Sequence, residues 1–343
     1  MYTRRYNFHD FLTIVIHTRK IQYIRYFDNE FGPYKTEEVR PDNDIEVFID
    51  IDFPHNACRE PLFFSYRFKQ LFKVSYCIYD INGKTTRLYF NGDYTIFFYP
   101  PLMGAFVQTE VLEPLIYYKC ALKNCLLIHS ACVSDGSSSY LFPAVGGSGK
   151  TTLSLLLVQH GMIFLSDDLT FLSRDGVTYA YPRPLHLFTY NIKEPCFLKI
   201  PTTIRYIIKF KDVIRYFLNI VCKEKFLIAT RVDIHSVVRG VKIGKVYPLS
   251  KIFFLSKEHF GKIPLDNTLI IDTYLHRILN VGEIRNILIN RLLACQDNLK
   301  SIVLQKEKEI MYAILTRIKA LYSINSHIYN KDNICDLINL MNE

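Results

Sequence analysis

The chain has 343 residues, with 42 Lys and Arg against 33 Asp and Glu, a formal net charge of +9, and 49% hydrophobic and 22% charged residues. That composition is globular, enough for one large domain or two modest ones, and it excludes wholesale disorder and collagen-like or linker-like chains. The charge excess is local: Lys and Arg minus Asp and Glu come to −1 over residues 1–190, +9 over 191–260 and +1 over 261–343, which argues against a general nucleic-acid coat.

No segment approaches the ~18 consecutive apolar residues of a spanning helix. Met1 to Phe11 carries Arg4, Arg5, His9 and Asp10 and lacks the apolar core of a signal peptide. The nine cysteines include no CxxC pair and read as reduced thiols. A cytoplasmic protein without a membrane partner is the expectation.

Residues 1–100 read as strands and hairpins, largely antiparallel. Phe11 to Ile21 is rich in β-branched residues, and Val47 to Phe53 alternates strictly before Pro54. Asn82-Gly83 and Asn91-Gly92 each lie between apolar runs, the strongest short hairpin signal because both residues tolerate positive φ. Tyr94 to Tyr99 predicts a strand stopped by Pro100-Pro101.

From Gly104 to Lys123 the apolar residues recur at helical spacing. A strand follows at Cys125 to Val133, then a Ser-Asp-Gly turn at 134–136 and a strand at Tyr140 to Val145. Lys150 to His160 predicts a helix closed by Gly161, and Met162 to Ser166 a strand. A hairpin is expected at Arg174 to Tyr179. Ile252 to Ser256 and Thr268 to Ile271 read as buried strands. After Thr273 the chain reads as helical almost to its end, with Ile314, Ile318 and Leu321 among the packing residues.

The strongest chemical signal is Ala144-Val145-Gly146-Gly147-Ser148-Gly149-Lys150-Thr151-Thr152. An apolar strand leads in and an apolar helix leads out, the context of a P-loop. Its glycines let backbone N–H groups curl around phosphate oxygens, and the helix N-terminus adds partial positive charge. ATP is the expected ligand, with Lys150 reaching the β- and γ-phosphates and the Thr151 hydroxyl on Mg²⁺.

Downstream, Ile163-Phe164-Leu165-Ser166 delivers Asp167 and Asp168 at a strand's C-terminal end, 17 and 18 residues beyond Lys150. Two adjacent acids there can divide metal binding from proton acceptance. Asp272, after Leu269-Ile270-Ile271, is a weaker alternative for the metal acid and reads as a turn residue. His129 ends the apolar run Leu126-Leu127-Ile128, where a lone His is more often a core residue than a functional one.

Ile128-His129-Ser130-Ala131-Cys132-Val133, the turn at Asp135-Gly136, the P-loop and Leu165-Ser166-Asp167-Asp168 follow one another at close spacing. In that order they resemble the catalytic core of the HPr kinase/phosphorylase-like kinases, which share a P-loop core with phosphoenolpyruvate carboxykinase. The resemblance covers about residues 120–175 and extends to Tyr181-Pro182-Arg183-Pro184-Leu185. It implies an α/β fold with a mixed sheet and a kinase active site.

By that resemblance Asp167 is the general base, His129 lies beside it, and Asp168 leans toward Mg²⁺; the residues themselves do not separate the two acids. Arg183 is a candidate substrate contact. The downstream glycine-rich signature of HPr kinase itself has only a faint echo at 238–244, so the resemblance implies a divergent member acting on another acceptor. Ser of a peptide or protein, such as a precursor peptide, is expected, with a small hydroxyl compound as the alternative.

The expected organisation is a β-rich region 1–103, a kinase core 104–272 with a basic insert 191–260, and a helical region 273–343. The excess cations of 191–260 mark either an acceptor-docking face or a solvated one. Homo-oligomerisation is left open. The competing functional readings are a P-loop NTPase that couples hydrolysis to assembly, and a nucleotide sensor without transfer. The signature sequence of transporter ATPases is absent.

Overall fold

The computed structural model describes residues 1–38, 43–54, 61–68, 72–92, 100–193, 200–222, 229–256, 261–265, 268–326, 329 and 333–343. It is a mixed α/β protein whose chain divides into two compact units: Met1–Lys123 with Leu218–Phe226 and Asn286–Val303, and Asn124–Phe217 with Leu227–Arg285 and Leu304–Glu343. These units differ from the expected boundaries at 103 and 272. The helical stretch 104–123 belongs with the N-terminal region, and the C-terminal helical region is shared between the units. No helix among the described residues is long and apolar enough to cross a membrane.

The first unit is built on β1 (Tyr2–Phe8), β2 (Leu12–Thr18), α1 (Ile21–Phe31), β3 (Lys35–Thr36), β4 (Ile45–Ile49), β5 (Leu62–Phe68), β6 (Phe72–Tyr79) and β7 (Thr86–Gly92). The sheet order is β3-β1-β2-β4-β7-β6-β5. It is less antiparallel than expected: β2 pairs with β4, and β4 with β7, in parallel. Asn82-Gly83 lies in the loop between antiparallel β6 and β7, whereas Asn91 and Gly92 are still paired within β7, opposite Ser75 and Val74. The strand expected at Tyr94 to Tyr99 lies outside the described residues.

Helix α1 is absent from the sequence reading. Its Tyr23, Tyr26, Phe27 and Phe31 are buried at the three-to-four spacing that turns one face inward. Helices α2 (Pro100–Phe106) and α3 (Glu113–Leu122) flank a π-helical segment, Val107–Leu112, so the expected helix over 104–123 is present. Buried Gln108 ties this segment down, accepting from Tyr26 Oη and donating to Glu30 and Glu113.

The second unit begins with β8 (Cys125–Ser134), β9 (Ser139–Pro143), α4 (Lys150–Gln159), β10 (Ile163–Ser166), β11 (Leu169–Ser173), β12 (Val177–Tyr179) and β13 (Leu185–Leu187). There follow α5 (Thr202–Cys222), β14 (Thr230–Val232), β15 (Val246–Leu255), β16 (Gly261–Ile263), α6 (Thr268–Asn280), α7 (Glu283–Ile287), α8 (Asp297–Leu315), β17 (Ala320–Ile324) and α9 (Ile334–Asn342); the end of α5 from Leu218, the end of α7 from Asn286 and the start of α8 up to Val303 belong to the first unit. The main sheet runs β10-β8-β11-β12-β15-β17-β16, with β9 paired to both β8 and β15. Strands β9, β15 and β17 run parallel; the other ladders are antiparallel.

Two expectations are corrected here. Thr268 to Ile271 opens helix α6 instead of forming a strand, because Ile271, Tyr274, Leu275 and Ile278 bury one helical face; Asp272 is therefore a helical residue. Ala320–Ile324 is a strand, not helix, held by the parallel ladder of Lys251 to Leu255 against Ala320 to Ile324. The core of the unit joins Phe142, Leu153, Leu157, Phe164, Phe253, Tyr322 and Leu337, so strand β9, helix α4 and strand β10 rest on one apolar layer.

Candidate functional site

Strand β9 ends at Pro143, and helix α4 begins at Lys150 after six intervening residues. Ala144 is buried beneath the loop, while Val145, Gly146 and Gly147 are exposed. Gly147 has φ +78° and Gly149 φ +87°, a left-handed region that side chains rarely tolerate. Gly149 caps α4, and its carbonyl accepts the first helical bond from Leu153 N–H at 2.9 Å. A Cβ at Gly149 would lie 2.7 Å from Ser326 Oγ, and that hydroxyl donates to the Ser148 carbonyl. The Ser148 hydroxyl donates to the Val145 carbonyl at 2.8 Å. The left-handed glycines and the Ser148 and Ser326 hydroxyls thus shape the loop, which leads into the α4 N-terminus with its partial positive charge.

Lys150 is 7% exposed. Its ammonium donates to the carbonyls of Ala144 at 2.8 Å and Val145 at 3.2 Å. Burial pushes its pKa down, and the charges of Asp168, Asp167 and Glu283 oppose that shift. Thr151 and Thr152 are half-buried in the first turn of α4. The Thr151 hydroxyl donates to Asp167 Oδ2 at 3.0 Å, and the Ser154 hydroxyl lies 3.3 Å from Asp167 Oδ1.

Antiparallel pairing of β8 and β11 sets Leu169 opposite His129, and Ser130 N–H donates to the Asp168 carbonyl at 3.0 Å. This register brings the Asp168 side chain to the His129 ring, where Nε2 and Oδ1 are 2.9 Å apart. His129 Nδ1 lies 2.9 Å from the carbonyl of Val281, just past α6. The sequence reading places His129 beside Asp167; the structure pairs it with Asp168, because the β11 register turns Asp168 toward β8 and Asp167 toward α4.

The two acids have opposite environments. Asp167 is 8% exposed. Burial and the Asp168 charge push its pKa up to about 6 against the pull of Thr151, Lys150 and Ser154. Burial also pushes Asp168 up, but the His129 hydrogen bond and charge, with Arg183 and His186, hold it well below the usual carboxylate range. The Asp168 side chain is 42% exposed, so it faces the cleft while Asp167 lies beneath.

That cleft is lined by Asp167, Asp168, Leu169, Tyr181, Arg183, Pro184 and His186. Arg183 is buried, with its guanidinium 5.6 Å from the centre of the Tyr181 ring. The chain is fixed there by a bond from Tyr181 N–H to the Leu165 carbonyl at 3.1 Å.

The structure therefore brings His129, the loop 144–152, both acids and Arg183 to one end of the second unit's sheet. Ser154, His186, Val281 and Ser326 are absent from the sequence expectations, and Tyr181 appears there only within the segment 181–185. Ser154 had a readable signal, three residues past Thr151 on the same helical face; the others arrive through long-range packing. Asp272 does not join the cleft-lining residues.

Among the described residues no group of three or more His, Cys, Asp or Glu is arranged to hold a metal. The oxygen donors Thr151 and Asp167 nonetheless fit Mg²⁺, which is usually held by one or two protein groups while substrate phosphates and water complete its shell.

No protein-family model matches the chain, and no curated protein matches it.

Proposed function

We propose that the chain is an ATP-dependent phosphotransferase with a hydroxyl acceptor, most simply a Ser of a peptide or protein, and that the loop 144–151 is a P-loop of the HPr-kinase-like type. The observation that carries this reading is the division of the acid pair. Asp167 faces the loop through Thr151 at 3.0 Å, and Asp168 faces the cleft through His129 at 2.9 Å. A site that only binds or hydrolyses a nucleotide needs the first pairing. The second adds an ionised carboxylate on the open side, where an acceptor hydroxyl would stand.

In this reading the roles of the acids are the reverse of those the sequence resemblance implies. Thr151 and Asp167 would hold Mg²⁺, the arrangement of P-loop hydroxyl and strand-end acid found in P-loop enzymes generally; the ion would supply neutralisation of the phosphate charge. Lys150 exchanges its bonds to the Ala144 and Val145 carbonyls for phosphate oxygens. The loop N–H groups and the α4 N-terminus fix the phosphate chain.

Asp168 accepts the acceptor's proton as the new O–P bond forms and the bond from the γ-phosphorus to the bridging oxygen breaks, leaving ADP. Its low basicity suits this role, because phosphoryl transfer passes through a loose transition state that asks more for positioning than for a strong base. His129 is a positioning residue that holds Asp168 in place. Arg183 steadies charge on the acceptor side.

The test is transfer of label from γ-labelled ATP with Mg²⁺ to hydroxyl-bearing peptides and small alcohols, alongside Lys150→Ala and Asp168→Asn. Labelled acceptor that is lost in both variants supports the reading. Phosphate release without labelled acceptor points to an NTPase, and nucleotide binding without turnover to a sensor; either outcome overturns it.

A further inference from the structure

Helix α5 turns its apolar side outward. Tyr206, Phe210, Val213, Tyr216 and Phe217 are each 63–70% exposed, while Ile208 is buried on the opposite side. Ile204 and Ile208 pack on the core of the unit, and Arg205, Lys211, Asp212 and Arg215 are half-buried beside them. Arg215 pairs with Asp212 at 2.8 Å and stands over the Phe188 ring, and Arg205 Nε donates to the Ile200 carbonyl. An amphipathic helix that packs only against its own domain turns polar residues outward.

The pattern of this face selects its occupant. Tyr206, Phe210, Val213 and Phe217 are spaced by four, three and four residues, the seam that interlocks with another helix as knobs into holes. The spacing reads the same in both directions, so a twofold axis between residues 211 and 212 would bring Tyr206 onto Phe217 of a second copy, and Phe210 onto Val213. With the flanking Ile214 and Tyr216, 38% and 70% exposed, these six side chains present roughly 700 Å².

That area exceeds the ~300–600 Å² of the largest apolar patch on an ordinary monomer and comes close to the ~800 Å² each partner gives to a standard interface. Lys209 is the one exposed charge among the described residues of the helix. A helix that lies on anionic lipid instead carries cations along its exposed polar face.

We infer that α5 is a self-association surface on which two copies of the chain pair through antiparallel α5 helices.

The test is sedimentation velocity of the full chain from 1 to 100 μM, with Phe210→Glu and Val213→Lys as separate variants whose folding is checked by circular dichroism. A wild-type dimer whose dissociation constant rises at least tenfold in each variant, and which reforms when the two variants are mixed, is the expected result. The mixture matters because the antiparallel register sets the Phe210 position of one copy against the Val213 position of the other. A wild-type chain that stays monomeric overturns the inference, as does a dimer that either variant leaves intact. A dimer that is lost in both variants but not restored by mixing overturns the antiparallel pairing. A monomer that floats with phosphatidylserine vesicles and loses that binding in Phe210→Glu gives the face to lipid and overturns it as well.

Discussion

His129 stands with both ring nitrogens facing oxygen acceptors, Nε2 at 2.9 Å from Asp168 Oδ1 and Nδ1 at 2.9 Å from the Val281 carbonyl. The ring is thus held from two sides, by Asp168 just before β11 and by Val281 just past α6, and its orientation fixes that of the Asp168 carboxylate. Asp168 keeps its second oxygen for the cleft.

The division of the acids predicts two different kinetic defects. Asp168→Asn removes the proton acceptor and should lower kcat about 10²–10⁴-fold, with little change in the KM for ATP. Asp167→Asn should instead raise the Mg²⁺ concentration needed for half-maximal rate, because it weakens the pole shared with Thr151. Steady-state rates measured over a matrix of ATP and Mg²⁺ concentrations check both. Equal defects in both parameters for the two variants would remove the assigned roles.

The turn before β9 carries a pH-dependent stability contribution. Asp135 Oδ1 accepts from Ser137 N–H, Ser137 Oγ and Ser138 N–H at 2.7–2.8 Å, and Oδ2 accepts from Tyr140 Oη at 2.7 Å. Burial raises the Asp135 pKa, but the bonds from Ser138, Tyr140 and Ser137 outweigh it and leave the group below its ordinary value. A carboxyl whose folded pKa is depressed adds stability above its unfolded pKa and loses it as pH falls through the folded one. Asp135 is exposed, so solvent screening limits the cost of Asp135→Ala to under about 1 kcal/mol near pH 7, and the gap from wild type should close below about pH 4. Urea denaturation at several pH values measures it.

The sequence made the loop and the acid pair legible because each depends on neighbours along the chain. The strand Tyr140 to Val145, the glycines and the helix from Lys150 are local signals, and all are present with bounds shifted by one or two residues. Ala320–Ile324 reads as helix from its sequence because Ile314, Ile318 and Leu321 keep helical spacing across the break, and only the distant ladder to β15 makes the segment a strand. The resemblance implies that His129 lies beside the acid pair, but not that its partner is Asp168 and not Asp167. That pairing follows from the β8–β11 register, which no local pattern encodes, and the same holds for Val281 and His186.

Gly149→Ala separates backbone strain from crowding. The position has φ +87°, and the new Cβ would press on Ser326 Oγ at 2.7 Å. Gly161, just past α4, has φ +96° with nothing within 4 Å of its Cβ position. The conformational cost alone is about 1–2 kcal/mol per residue. Gly161→Ala should therefore lower the melting temperature without changing nucleotide affinity, while Gly149→Ala should lower it further and weaken ATP binding more than tenfold. Adding Ser326→Gly to Gly149→Ala should recover part of the melting temperature, but the affinity should remain low because the left-handed backbone is still strained. Calorimetric titration with ATP and thermal scans of the four proteins read both effects.

Phe253 links the missed strand to the loop. It is fully buried in β15, with its ring stacked 5.4 Å from Phe142 of β9 and 5.1 Å from Tyr322 of β17. Phe253→Ala opens a cavity between the strand that leads into the glycine loop and the strand paired on the other side of β15, and should cost about 3–5 kcal/mol. Phe253→Leu keeps most of the volume and should cost under about 1.5 kcal/mol. Because β9 ends one residue before Ala144, whose carbonyl holds Lys150 at 2.8 Å, the larger substitution should weaken nucleotide binding at temperatures where the protein is still folded. Urea denaturation paired with ATP titration of both variants checks this: a loss of stability with unchanged affinity in Phe253→Ala would show that the loop holds its shape independently of the β9–β15–β17 stack.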